Sequence, residues 1–304
     1  MMRGRLSWGL AVRQASGLIV RRSFPLDDPG KRYPVLKWPV VRGVVALVES
    51  LSLGIKALGL SANLGLGEQA GASDAGSAGE DRGLGPGAEA PAQFGFKELV
   101  LTVGVALVLA VALFVVVPLA VVKFFESTFS NPFVFNLVEG LIRIAIFLAY
   151  VVGISFIPDL RRVFEYHGAE HKVIHAYESG EELDPERAGR FSTLHPRCGT
   201  AFLLVVMVVA IILFAVVGKP SLPWLALSRI VGIPIVAGLA YEIIKYAGRH
   251  QQGFIARVVL WPGLNLQRLT TRQPSLDQIE VAIAALQEVL RVDAGGEPAV
   301  GLPG

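Results

Sequence analysis

Four apolar runs constrain this chain more than any other feature. Lys97–Val122 has its only charges at its first two residues, and Thr200–Val217 has none. Phe133–Ile157 holds Glu139 and Arg143, and Pro223–Ala247 holds Arg229, Glu242 and Lys245. A bilayer core needs about 20 residues of helix, and inside it each backbone polar group must find its partner within the segment. The runs at 97–122 and 200–217 are apolar on every face, which a soluble surface helix is not. The expected fold is therefore an all-α membrane protein with four transmembrane helices. With 53% hydrophobic and 17% charged residues, the composition leaves room for only modest polar layers. A net charge of +3 fits anchoring to anionic headgroups. No basic stripe with interleaved aromatics points to nucleic acid. The single cysteine excludes an intrachain disulfide.

Around these runs the chain divides at changes of composition. Residues 1–38 form a basic segment in which Leu6–Val12 and Leu18–Arg22 read as a β-hairpin, turning at Ala15-Ser16-Gly17. Residues 39–63 are helical in character but carry Arg42, Glu49 and Lys56. Residues 64–94, rich in Gly, Ala, Ser and Glu, are expected to be a disordered linker. Residues 95–157 and 200–247 each hold a pair of spans, with a His-rich connection at 158–199 between them. In 248–292 the sequence Trp261-Pro262-Gly263 suggests an interfacial turn, and Ser275–Val292 reads as an amphipathic helix opened by a Ser275/Gln278 capping box. Its apolar face is Ile279, Ala282, Ile283, Leu286 and Leu290. Residues 293–304 read as a disordered tail.

The connection at 158–199 carries six basic residues (Arg161, Arg162, Lys172, Arg187, Arg190 and Arg197), whereas the other two connections offer Lys123 and Lys219. The positive-inside rule places the His-rich connection and both termini in the cytoplasm. If 39–63 also spanned, the basic N-terminal segment would lie outside. That stretch is therefore read as interfacial or partly embedded.

The chemistry concentrates in the connection. His167-Gly168-Ala169-Glu170-His171 matches H-x-x-E-H, in which two imidazoles one helical turn apart can share a metal ion and a neighbouring carboxylate can move a proton. His195 and Cys198 return just before the third apolar run. The expected ligands are His167, His171, His195, Cys198 and, from the inner end of the fourth run, Glu242. The expected metal is Zn²⁺. Glu170 is the expected general base. His175 reads as a surface histidine, and Glu242 as a partner of Lys245 if it is not a ligand. Glu139 is expected to pair with Arg143 or Arg229.

Taken together, Met2-Arg3-Gly4, Arg42 to Ser50, Ser61-Ala62-Asn63, Tyr166 to Lys172, His195 to Thr200, Tyr241-Glu242 and Leu269 to Arg272 resemble the bacterial YqhQ-like membrane proteins, a family of unknown function. The resemblance covers nearly the whole chain except the linker and tail. It implies a multi-pass membrane protein described as metal-dependent. Relatives carry a Gly-rich stretch ending in Glu-Gly-Val before the Met-Met-Arg-Gly with which this chain begins.

The function expected on these grounds is a metal-dependent, hydrolytic membrane enzyme acting on a small-molecule, lipid or peptide substrate. The alternative is a non-catalytic assembly or regulatory factor whose His/Cys cluster is structural. A transporter using Glu139, Arg143 and Arg229 ranks last.

Overall fold

The computed structural model describes residues 1–26, 33–74, 96–125, 131–196, 198–217, 222–250 and 253–296. It opens on a three-stranded antiparallel sheet in the order β1 (Met2–Arg3), β2 (Ser7–Arg13), β3 (Ile19–Pro25). The expected hairpin is β2–β3, and a two-residue strand joins it, with Met2 opposite Gly9 and Arg3 opposite Trp8. Gly17 turns the hairpin with φ of 86°, a conformation that costs glycine nothing.

Successive residues of β2 point to opposite faces, and the sequence uses the two faces differently. Ser7, Gly9 and Ala11 are small, and the C-terminal helix packs there so closely that a Cβ on Gly9 would meet Val289 at 2.8 Å. Trp8, Leu10 and Val12 are large and cluster with Leu53 and Ala57 of α1 (Val41–Asp74). Trp8 stacks on its cross-strand partner Phe24 at 4.6 Å.

The helices continue as α2 (Phe96–Val111), α3 (Val117–Phe124), α4 (Pro132–Ile154), α5 (Pro158–Glu178), α6 (Pro185–Ala188), α7 (Gly199–Val217), α8 (Leu222–Arg249), α9 (Phe254–Thr270) and α10 (Leu276–Asp293). A π-helical turn, Ala112–Val116, joins α2 to α3. It precedes Pro118, which has no N–H to offer the carbonyl of Phe114. Four stretches among the described residues are long and apolar enough to cross a membrane: Val41–Leu64, Leu101–Phe124, Pro132–Ile154 and Val231–Arg249. The apolar part of α7, Phe202–Val216, is shorter.

α4, α7 and α8 pack through glycine. A Cβ on Gly140 would strike Ile211 at 2.3 Å, and one on Gly232 would strike Phe214 at 2.7 Å. Within α4, Glu139 is buried and pairs with Arg143, one of the two expected arrangements. The side chain of Arg229, the other, lies outside those described.

Three segments differ from the sequence expectation. α1 runs on to Asp74, eleven residues into the stretch read as linker, because helix propagation adds one bond per residue once a turn exists; residues 75–95 lie outside those described, as does the tail from 297. Trp261-Pro262-Gly263 is not a turn: Pro262 sits inside α9, whose Leu260 and Leu264 pack against Ala247 and hold the helix through it. Finally, α10 is buried on more than the expected face. Val281, Ala284, Ala285 and Val289 are covered along with Ile279, Ala282, Ile283 and Leu286, because the helix lies between the sheet and α5. Its capping box forms as expected, with Gln278 N donating to Ser275 Oγ and Ser275 N donating to Gln278 Oε1.

α1 leaves the bundle. At its start it crosses α8, where a Cβ on Gly238 would meet the Val40 carbonyl at 2.5 Å. Beyond that crossing it packs on β2, and Glu49 pairs with Arg3 of β1 at 2.8 Å. Val40 takes φ of 70° at this crossing, a region that β-branched residues seldom enter.

Candidate metal centre

α5 is the organising element. Pro158 at its first turn fixes where it starts after the α4 span. Residues 167, 171 and 175 lie one turn apart on one stripe, facing the loop that runs from α6 to α7. Ala169, Val173 and Ala176, fully buried, seat a neighbouring face of α5 against α10.

His167, His171 and Cys198 converge: each offers a nitrogen or sulfur atom, and these all lie within 4.8 Å of one another. His167 Nε2 is 3.2 Å from Cys198 Sγ. The other ring nitrogens are tied to backbone. His167 Nδ1 donates to the Thr270 carbonyl at 2.9 Å, and His171 Nδ1 donates to the Thr193 carbonyl at 2.5 Å. This leaves each Nε2 as the ligating atom, the arrangement by which neighbouring groups usually orient metal-binding histidines. Two imidazoles and a thiolate form a donor set that suits Zn²⁺, so the residues fit the metal.

The Cys198 thiol has the acidity that such a ligand would need. Burial alone would push its pKa up. Hydrogen bonds from His167 and His171, the charge of His167 and a hydrogen bond with Thr200 outweigh burial and hold it at about 5. Burial acts to lower the His167 pKa, but the bond to Cys198 and the charges of Cys198 and Glu170 leave it raised. The two groups thus favour one another's charged form, and a metal held here would take the place of the proton between them.

Backbone positions carry much of this geometry. The chain after α9 passes so near α5 that a Cβ on Gly168 would sit 2.1 Å from the Arg272 carbonyl oxygen. Arg272 N donates to the Phe164 carbonyl at 2.9 Å, which fixes Thr270 beside His167. Gln267, fully buried, clamps the backbone of His195 with two bonds of 2.8 Å and so sets the turn that presents Cys198. Buried Lys172 donates to the carbonyls of Gly189 and Phe191 and pins the loop just before Thr193; burial lowers its pKa. A glycine inside a polar helix was the one sequence signal for this frame.

The remaining expected site residues lie apart from the three-donor cluster. His195 is buried beside it, its ring 5.7 Å from that of His171, but its Nε2 lies 3.5 Å from Glu178. Burial, then the neighbouring His175, lowers its pKa. His175 is half-buried rather than a surface residue, and its Nε2 bonds the Leu194 carbonyl. Glu170 faces the sheet side of α5, where its carboxylate accepts the Met1 ammonium at 2.6 Å. Glu242 pairs with neither the His/Cys cluster nor Lys245: both its oxygens engage the guanidinium of Arg42, with Arg42 Nε to Oε1 at 2.6 Å. That bidentate pair joins α8 to the start of α1.

Fold and site together define a multi-pass helical membrane protein with a His/His/Cys cluster beside the point where the chain enters α7. The sequence profile of the family described as "Protein of unknown function (DUF1385)" matches residues 38–292, and the chain belongs to that family. It is 30% identical over 298 residues to "Uncharacterized protein YqhQ" of Bacillus subtilis (strain 168), covering 98% of this chain and 91% of that one. No solved structure matches the chain.

Proposed function

We propose that this protein is a metal-dependent, hydrolytic enzyme of the bacterial cytoplasmic membrane, with its site on the cytoplasmic side. The observation that carries the reading is the convergence of His167, His171 and Cys198 within 4.8 Å, with both Nδ1 atoms committed to backbone carbonyls. Three protein donors are what a catalytic zinc uses, because its fourth position stays open. When bound, zinc supplies Lewis acidity toward a carbonyl or phosphoryl oxygen. His167 and His171 are oriented for ligation by Thr270 and Thr193. Cys198 brings the negative charge. Glu170 is the residue we assign to accept and return the proton; its charge acts on His167, and its carboxylate would have to turn from the Met1 nitrogen toward the cluster to do so. The bias of basic residues toward the 158–199 connection supports the cytoplasmic orientation.

A second reading is supported by one observation. His195 lies buried against His171, and as a fourth ligand it would close the site into a structural one. Elemental analysis of the purified protein tests both. About one zinc per chain is expected, with loss in His167→Ala, His171→Ala and Cys198→Ser; unchanged zinc in all three variants would refute the site. His195→Ala separates the readings, because a structural zinc is lost with it and a catalytic one is kept. Glu170→Gln should abolish cellular function only in the hydrolytic case.

A further inference from the structure

α5 carries a second stripe, offset by about 100° from the histidines: Arg162, Tyr166 and Glu170, again one turn apart. This stripe does not face the cluster. With β2, α1 and α10 it walls a cavity of about 520 Å³, within the range of small-ligand sites. The floor is apolar, made by Leu10, Ala57 and Ala285, and exposed Leu58 and Val163 also line it.

The charges in the cavity do not cancel. Glu170 accepts a hydrogen bond from the Met1 nitrogen at 2.6 Å. Arg13 pairs with Glu280 at 2.5 Å and donates to the carbonyls of Asp277 and Gly17, with its buried Nε left without a hydrogen-bond partner. Arg162 has no ion-pair or hydrogen-bond partner among the described residues, and the hydroxyls of Tyr166 and Ser61 likewise have none. One cation and two hydroxyls are therefore available to a ligand carrying one negative charge. A second cavity, of about 400 Å³, shares Arg13, Arg162 and Tyr166 and adds Asp277 and the Arg161–Glu165 ion pair, which gives the first a polar neighbour.

The position selects the class of ligand. Arg162 lies eight residues beyond Ile154, the last residue of the α4 span, and the intervening Phe156 and Ile157 are 78% and 47% exposed. Leu58 at the cavity is 66% exposed and continues the exposed apolar line of Val48 and Leu51 along α1. A basic residue one or two turns beyond a span sits at headgroup depth, where it attracts anionic lipid. We infer that this cavity is a binding site for an anionic bilayer lipid, its headgroup held by Arg162, Tyr166 and Ser61 and an acyl chain lying along Leu58, Ala57 and Leu10. The inference does not depend on the metal centre.

Native mass spectrometry of the full chain in dodecyl maltoside, titrated with dioleoyl phosphatidylglycerol, dioleoyl phosphatidylcholine or inorganic phosphate, tests it. Phosphatidylglycerol should bind at least about tenfold more tightly than phosphatidylcholine, the scale of one charge-assisted hydrogen bond. Arg162→Gln should remove that preference, and Arg162→Glu should reverse it. Both substitutions are at an exposed position, so an unchanged melting temperature is expected and shows that the fold is retained. Equal phosphatidylglycerol binding by wild type and Arg162→Gln would overturn the site. Displacement of the lipid by millimolar inorganic phosphate would overturn the lipid assignment in favour of a soluble anion.

Discussion

Gly168→Ala should damage the His/His/Cys cluster although residue 168 donates nothing to it. The added Cβ would lie 2.1 Å from the Arg272 carbonyl oxygen, and real contacts begin beyond 3.0 Å, so one backbone must withdraw. The obstacle is main chain, and no rotamer change relieves it. Withdrawal breaks or stretches two bonds, Arg272 N to Phe164 O and His167 Nδ1 to Thr270 O, both 2.9 Å. Each is worth about 1 kcal/mol net, and about 1–3 kcal/mol where a buried partner is left unpaired. Replacing a mid-helix glycine by alanine returns about 1 kcal/mol. The balance is a destabilisation of about 2 kcal/mol, or roughly 5 °C in Tm for a chain of this size. Tryptophan-fluorescence melting in detergent measures it. Gly59→Ala in α1 is the control: nothing lies within 4 Å of its added Cβ, and it should melt at or slightly above wild type. With the Thr270 carbonyl withdrawn, His167 loses its tautomer restraint, so Gly168→Ala should also hold less than one zinc per chain. A variant that melts at the wild-type temperature with full zinc would refute the close-approach argument.

Other outcomes follow from the same geometry. In metal-free protein, Cys198 should react with iodoacetamide at a nearly constant rate down to about pH 6 and slow as pH falls through about 5, because the thiolate is the nucleophile; in denaturant the midpoint should return to roughly 8.5, the free-thiol value, and His167→Ala should move the folded midpoint upward. Glu242→Gln should leave zinc content unchanged while speeding tryptic cleavage at Lys56, since it loosens the Arg42 link between α1 and α8; loss of zinc would return Glu242 to the ligand set. Gln267→Leu should lower stability by about 2–4 kcal/mol, read from Tm, because the buried N–H and carbonyl of His195 both lose their partner.

What could be read from the sequence was what neighbouring residues decide. The apolar runs, the Ser275 capping box and the i, i+4 Glu139–Arg143 pair are local patterns, and each appears in the structure. His167 and His171 were legible because helical spacing alone puts them on one stripe. Cys198 came from the expectation that the two ends of the connection meet. The misplaced residues have distant partners. Glu242 answers to Arg42, two hundred residues earlier in the chain, and no pattern around Glu242 marks that choice over Lys245 four-fifths of a turn away. The groups that aim the histidines are backbone carbonyls of Thr193 and Thr270. A carbonyl belongs to every residue, so sequence carries no trace of which one is used.

The two stripes of α5 suggest why a soluble-looking helix follows directly on a membrane span. The stripe at 167 and 171 meets a loop held by Lys172 and Gln267, which are buried and hydrogen-bonded to its backbone. The stripe at 162, 166 and 170 meets a cavity in which the uncommitted groups gather. Glu170 belongs to the second stripe by contact and to the first by field, since its charge raises the His167 pKa. A lipid headgroup at Arg162 and a reacting group at the cluster would thus be served by adjacent faces of one helix, with Glu170 between them. This makes a coupled prediction. Arg162→Gln should leave the zinc stoichiometry intact while weakening phosphatidylglycerol binding about tenfold. Cys198→Ser should do the reverse. If either substitution removes both ligands, the two stripes are a single site and the separation argued from α5 fails.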